Sequence, residues 1–210
     1  LWRSNGEDGG TFMVKNIYPA GTASNPDNFT LVNGTVYFTA NDGTNGIEIW
    51  KTDGTEAGTV LVKDINPGTA TSSPAFLTNF NNKLYFSAYN PTVGNELWVS
   101  DGSALGTIVV KDISANAAST SPQNMKAIGN TLYFGVNRTE GVSLWKTDGT
   151  EAGTVQLKLS TSFNQVKTVP TDFTLSSEQI FFIADMDPNG VELWKTNGSK
   201  AGTMVVKTIL

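Results

Sequence analysis

The chain has 210 residues, with 14 basic and 19 acidic side chains, no Cys and no His, giving a formal net charge of −5. The absence of Cys excludes a disulfide framework, Cys-ligated zinc and thiol nucleophiles. The absence of His excludes triad-type hydrolysis and His-ligated metals. An acidic balance without basic runs speaks against nucleic acid, and no apolar stretch reaches the roughly 18 residues of a membrane span.

A repeat organises everything that follows. Trp2, Trp50, Trp98, Trp145 and Trp194 recur at spacings of 48, 48, 47 and 49 residues, and they are all the tryptophans of the chain. An aromatic pair precedes each of the last four: Tyr37-Phe38, Tyr85-Phe86, Tyr133-Phe134 and Phe181-Phe182. Lys15, Lys63, Lys111, Lys158 and Lys207 keep the same beat. The first unit, about 1–17, holds only the second half of the pattern. It opens inside a repeat, so the expectation is a piece of a longer protein. Full units follow at about 18–65, 66–113, 114–159 and 160–210.

The unit 18–65 shows the plan in chain order. A first strand is predicted at about 29–32 and a second at about 36–40, joined at Asn33-Gly34, a strong hairpin signal. Residues 41–46 turn into a third strand at 47–52. Asp53-Gly54 then opens the turn into a fourth strand at about 59–65, with the Asp side chain accepting from amides two residues on. The next connection, 66–75, is long and rich in Pro, Gly, Ser and Thr. Three tight turns and one long link per 48 residues is the plan of a propeller blade, whose outermost strand must return to the innermost strand of the next. A parallel β-helix has shorter coils and lacks tight antiparallel hairpins. The predicted fold is therefore all-β, a β-propeller of four-stranded antiparallel blades, four full and one N-terminal half, about five in total. The segment 158–168 departs from the repeat and predicts a different path for that link.

The words Glu96-Leu97-Trp98-Val99-Ser100-Asp101-Gly102-Ser103 and Glu192-Leu193-Trp194-Lys195-Thr196-Asn197-Gly198-Ser199 resemble the ELW-x-x-DGT repeat family, as do their counterparts in every unit. Departures are Ile49 in place of Leu, Ser143 in place of Glu, and Leu1-Trp2-Arg3-Ser4-Asn5-Gly6 in the first unit. The resemblance implies an exported or surface-associated bacterial propeller, and it brings no common enzymatic activity. The turn after each Trp also resembles the Asp-box hairpin of other propellers, a folding device.

The acids that recur, Glu48, Glu96 and Glu192 before the Trp and Asp53, Asp101 and Asp148 after it, could form a glycosidase pair. A catalytic pair is needed once, however, so recurrence assigns them to turn capping and hydrogen bonding between blades. The same reasoning assigns the Trp and Tyr-Phe positions to packing between blades, with Trp2 more exposed. Asp185-Met186-Asp187-Pro188-Asn189-Gly190 matches the first six positions of a calcium loop, which makes Asp185, Asp187 and Asn189 the candidate calcium ligands. Position 12 of such a loop falls on Thr196 rather than Glu. Asn28, Asn33, Asn137 and Asn197 head glycosylation-type triplets that an Asn- and Thr-rich chain produces by chance. Tyr18, Tyr89, Arg138 and the stretch 163–167 break the repeat and are candidates for a partner surface.

The function expected from these residues is a non-catalytic secreted or surface module for adhesion, assembly or ligand display, with a protein or glycan partner. The alternatives are a multivalent lectin and, further off, a polysaccharide-active enzyme. No cofactor other than calcium is suggested.

Overall fold

The computed structural model describes residues 1–20, 23–114, 118–138, 140–160 and 168–208. Among these there is no helix, and the strands form one two-stranded and four four-stranded antiparallel sheets. The half blade pairs β1 (Trp2–Arg3) with β2 (Phe12–Met13). Blade 1 is β3 (Asp27–Val32), β4 (Thr35–Asn41), β5 (Ile47–Thr52) and β6 (Val60–Lys63). Blade 2 is β7 (Ala75–Phe80), β8 (Lys83–Asn90), β9 (Gly94–Ser100) and β10 (Ile108–Lys111). Blade 3 is β11 (Pro122–Ile128), β12 (Thr131–Arg138), β13 (Gly141–Thr147) and β14 (Val155–Leu159). Blade 4 is β15 (Thr171–Ser176), β16 (Gln179–Asp187), β17 (Gly190–Thr196) and β18 (Met204–Lys207).

Each sheet follows sequence order, as successive hairpins require. The first strands of neighbouring blades lie against one another, β3 with β7, β7 with β11 and β11 with β15. These strands are therefore the innermost, and the meanders radiate outward from them. The propeller expectation holds. The first hairpin turn has both residues at positive φ in Asn33-Gly34 and Asn81-Asn82, the primed geometry that matches strand twist. Ser177-Glu178 adopts it too, at φ 46° and 66°, so pairing of the flanking strands overrides residue preference there.

The turn after the Trp strand explains the word Thr-Asp-Gly-Thr-x-x-Gly-Thr. Asp53 Oδ1 accepts from the amide and hydroxyl of Thr55, at 2.9 and 2.7 Å. Thr55 Oγ1 accepts from the Gly58 amide, and Thr59 Oγ1 donates to the Thr55 carbonyl. Thr59 has spent its one proton, so across the buried 2.7 Å Thr52–Thr59 contact Thr52 is the donor. The same bonds recur from Asp101, Asp148 and Asn197. A Cβ on Gly58, Gly106, Gly153 or Gly202 would collide with the capping side chain.

Blades are joined by apolar packing. Phe38, Phe86, Phe134 and Phe182 are buried, as are Trp50, Trp98, Trp145 and Trp194. Each Phe sits opposite the Trp of its own blade across the second and third strands. Burying such a side chain contributes about 2–3 kcal/mol. Basic side chains add ties from blade to blade. Lys15, Lys63 and Lys111 donate to the carbonyls of Thr59, Thr107 and Thr154 in the following unit. Lys51 and Lys146 likewise reach Gly102 and Gly198.

Candidate functional site

The recurring acids serve the fold. Glu48 is fully buried, and its carboxylate accepts from the amides of Ile65, Asn66 and Ser72 and from the Ser72 hydroxyl. It thereby fastens the long link that leads from blade 1 to blade 2. Glu96 does the same for the next link through the Ile113 amide and the Thr120 hydroxyl, leaving Oε1 buried and unbonded. Burial pushes both carboxyls up to about 7, with those hydrogen bonds holding against it. Glu192 is buried as well. Ser143, the departure in blade 3, accepts instead from Trp145 Nε1 at 2.9 Å. The capping acids Asp53, Asp101 and Asp148 lie at the surface, held below the usual carboxylate range by the hydroxyl and amide of the residue two positions on.

The candidate calcium residues are placed as follows. Asp187 closes a two-residue turn opposite Gly190, and its Oδ1 accepts from the Asn189 amide at 2.9 Å. Asn189 is exposed. Asp185 is buried with Oδ1 unbonded, and its amide donates to the Thr168 carbonyl. Among the described residues no three acidic, Cys or His groups converge in a metal-binding arrangement. Of the pattern-breaking residues, Tyr18 lies against Gly43 and Tyr89 is exposed. Arg138 pairs with Glu140 at 3.8 Å and contacts Ser114 Oγ. The stretch 163–167 lies outside the described residues, as do residues 161–167 of the departing link.

A different set of residues stands out at the centre. Every innermost strand carries a register shift at the same place, between Asp27 and Thr30, Ala75 and Thr78, Gln123 and Lys126, and Thr171 and Thr174. The bulged residues Asn28, Phe76, Asn124 and Asp172 have φ of 57°, 57°, 56° and 58°. Asn and Asp tolerate this left-handed conformation, whereas Phe adopts it at a cost of about 1–2 kcal/mol. Phe76 is nonetheless 42% exposed, so burial does not offset that cost. Bulges re-aim side chains, and they concentrate beside functional sites.

Two grooves lie at these bulges. One of ≈ 540 Å³ runs between blades 1 and 2, lined by Asp27, Asn28, Phe29, Thr30, Phe76 and Leu77 among others. The second, ≈ 370 Å³, runs between blades 3 and 4 beside Lys126, Asp172 and Thr174. Phe29 stacks on Phe38 at 5.5 Å and remains exposed on its other side. Asn28 Nδ2 donates to Thr39 Oγ1, and Thr30 Oγ1 donates to the Leu77 carbonyl. An exposed aromatic face beside amide, hydroxyl and carboxylate groups is thus held on rigid strands. Sequence reasoning looked for residues that break the repeat within or beside loops, and so passed over the inner strands. The signal lay there: Asp27, Asp172 and Phe76 vary within an otherwise repeated unit.

No family model matches the sequence, and no curated protein matches it. Solved structures do match. The chain is similar to puromycin hydrolase, in an S511A mutant complexed with PGG, with a TM-score of 0.58 and 13% identity over 96% of this chain and 31% of that one. It is also similar to oligopeptidase B from Leishmania major, with a TM-score of 0.51 and 10% identity over 97% of this chain and 30% of that one. An α-L-arabinofuranosidase from Clostridium thermocellum matches with a TM-score of 0.41 and 15% identity over 90% of this chain and 73% of that one. The chain spans under a third of the length of the first two.

These neighbours correct one expectation. The chain was expected not to be an enzyme because its acids repeat and it lacks His, but puromycin hydrolase and oligopeptidase B, which share its fold, are enzymes. The inner strands, moreover, carry carboxylates that do not repeat, Asp27 and Asp172, on the strands that line the centre. Neither the propeller nor the repetition of its outer acids gives ground for calling it a non-enzyme.

Proposed function

We propose that the chain is the ligand-binding propeller of a larger secreted or surface protein, and that its central face takes a carbohydrate. The observation that carries this reading is Phe76, an exposed aromatic ring held at φ 57° on a bulged inner strand. It lies in the same groove as Phe29, Asn28 and Asp27. Apolar sugar faces stack on such rings, while hydroxyl groups seek the amide and carboxylate partners beside them. Grooves repeated between blades would add avidity for a polymeric glycan. The ELW-x-x-DGT resemblance supports a location outside a bacterial cell.

The test is binding to an immobilised glycan panel by the chain and by its Phe76→Ala variant. Specific binding that the variant loses supports the reading. Silence across the panel, or equal binding by the variant, overturns it and favours a protein partner.

Hydrolysis of the bound glycan is a second reading, favoured by Asp27 and Asp172. Both are acids without counterparts in the other blades, and both belong to groove-lining sets on inner strands. Release of reducing ends from a polysaccharide panel, abolished by Asp27→Asn or Asp172→Asn, is the expected result if it holds. No release above a buffer blank excludes it for those substrates.

A further inference from the structure

Just past its bulge, every inner strand has one equivalent register position. Thr30 lies opposite Tyr37, Thr78 opposite Tyr85, Lys126 opposite Tyr133 and Thr174 opposite Phe181. The three threonines serve the backbone. Thr30 Oγ1 donates to the Leu77 carbonyl of the next blade, and Thr78 and Thr174 donate to the carbonyls of their own bulged residues, Phe76 and Asp172. Lys126 does none of this. It is exposed, and among the described residues it makes no hydrogen bond and no ion pair. It is also the one basic side chain on the four inner strands.

Lys126 lines the ≈ 370 Å³ groove between blades 3 and 4. That volume is within the range of about 300–1,000 Å³ usual for small-molecule sites. Thr171, Asp172 and Thr174 of blade 4 line it too, with the exposed Asp172 re-aimed by its bulge at φ 58°. The seam around the groove is fixed. Asn124 Nδ2 donates across it to the Pro170 carbonyl at 3.2 Å, and Gly135 leaves room for Val169 and Pro170 where a Cβ would collide. Phe173 is buried there against Tyr133 and Phe182. The groove between blades 1 and 2 has the opposite character, since its lining holds Asp27 and Phe76 and no cation.

The structure assigns the groove between blades 3 and 4 to a carboxylate-bearing sugar, a uronic acid unit, with Lys126 as the residue that selects its charge. This rests on the carbohydrate reading of the central face and adds the chemical class of the sugar. The ammonium takes the carboxylate, while the Asp172 carboxylate accepts from ring hydroxyls and repels the acid group, so the unit is bound in one orientation. The net charge of −5 gives an anionic polymer no general attraction to the chain, and the pull is therefore local to this lysine.

The test is calorimetric titration of a short oligogalacturonate and of its methyl ester, which has the same shape without the charge, in buffer free of divalent cations. The acid is expected to bind with Kd below about 1 mM and the ester at least about tenfold more weakly. Lys126→Thr installs the residue that the other three blades carry, so the fold is kept, and it should bind acid and ester alike at the ester's level. Lys126→Arg should retain the preference. Equal binding of the two probes by the unaltered chain, or a preference that survives Lys126→Thr, overturns the inference. So does loss of both probes by Lys126→Thr, since the lysine would then support the groove rather than choose the charge. Tighter binding of a short peptide through its C-terminal carboxylate also overturns it and makes the ligand a protein. If neither oligosaccharide binds, the inference fails alone, because neutral glycans and Phe76→Ala decide the broader reading separately.

Discussion

Replacing Glu48 by Ala removes four hydrogen bonds at once, three of them from backbone amides, at a fully buried position. A buried donor left without a partner costs about 1–3 kcal/mol. The vacated space can admit a water, which satisfies part of the loss. The expected destabilisation is therefore about 3–5 kcal/mol, a large share of the roughly 5–15 kcal/mol that a domain has in total. Glu48→Gln keeps the shape and one strong acceptor but turns an NH2 group towards amide donors, and should cost about 1–3 kcal/mol. Ser143 gives an internal comparison. Blade 3 has no such carboxylate, and Ser143→Ala loses a single bond from Trp145 Nε1, worth about 1 kcal/mol. Urea unfolding followed by tryptophan emission, extrapolated linearly to water, measures all three. Loss of less than about 1 kcal/mol in the Ala variant, or a Gln variant worse than Ala, would refute the assignment of Glu48 as the fastening of the link.

The same carboxylates predict a pH dependence. Glu48 and Glu96 are raised to about 7 in the folded chain from an ordinary 4.5, so the folded state binds their protons more tightly than the unfolded state. Their contribution is full below 4.5 and is lost as pH rises through about 7. Asp42 and the capping acids are shifted the other way, and theirs is lost only as pH falls below their ordinary 3.8. The urea midpoint should therefore be higher near about pH 5.5 than near about pH 8, and a flat or rising profile across that window contradicts it. Gly102→Ala puts a Cβ against the Tyr37 hydroxyl at φ 91° and should cost about 2–3 kcal/mol in the same assay, with a wild-type midpoint as the contrary result. Phe76→Gly relieves a left-handed Phe, so stability should stay within about 1 kcal/mol of wild type while glycan binding is lost. A stable variant that still binds would remove Phe76 from the site.

The fold was legible because its periodic words are also its structural joints. The Asp-Gly-Thr turn, the Trp and the Tyr-Phe pair each recur, and each lies where the spacing places it. The third strand of blade 1 was predicted at its observed limits, 47–52, while the first begins two residues earlier than expected, at Asp27. Those two residues belong to the bulge, which breaks the alternation that strand prediction depends on. The candidate site was illegible for the same cause. A bulge is a relation between two strands, and no single segment announces that residue 76 will stand at positive φ. The outer acids hold turns and links, as their recurrence suggested, but acids on the inner strands were not weighed. Asp27 and Asp172 sit on the inner ones.

Where a charged side chain crosses a seam between units, it meets a neutral oxygen. Lys15, Lys51, Lys63, Lys111 and Lys146, together with Arg3, each donate to a main-chain carbonyl of the next unit. The carboxylate–cation contact found among the described residues, Arg138–Glu140, lies within one blade. A carbonyl carries no net charge, so salt weakens such a contact less than it weakens a pair of opposite charges. Such fastenings need no carboxylate partner, and the joints they make between units depend on ionic strength less steeply than ion pairs in the same places would.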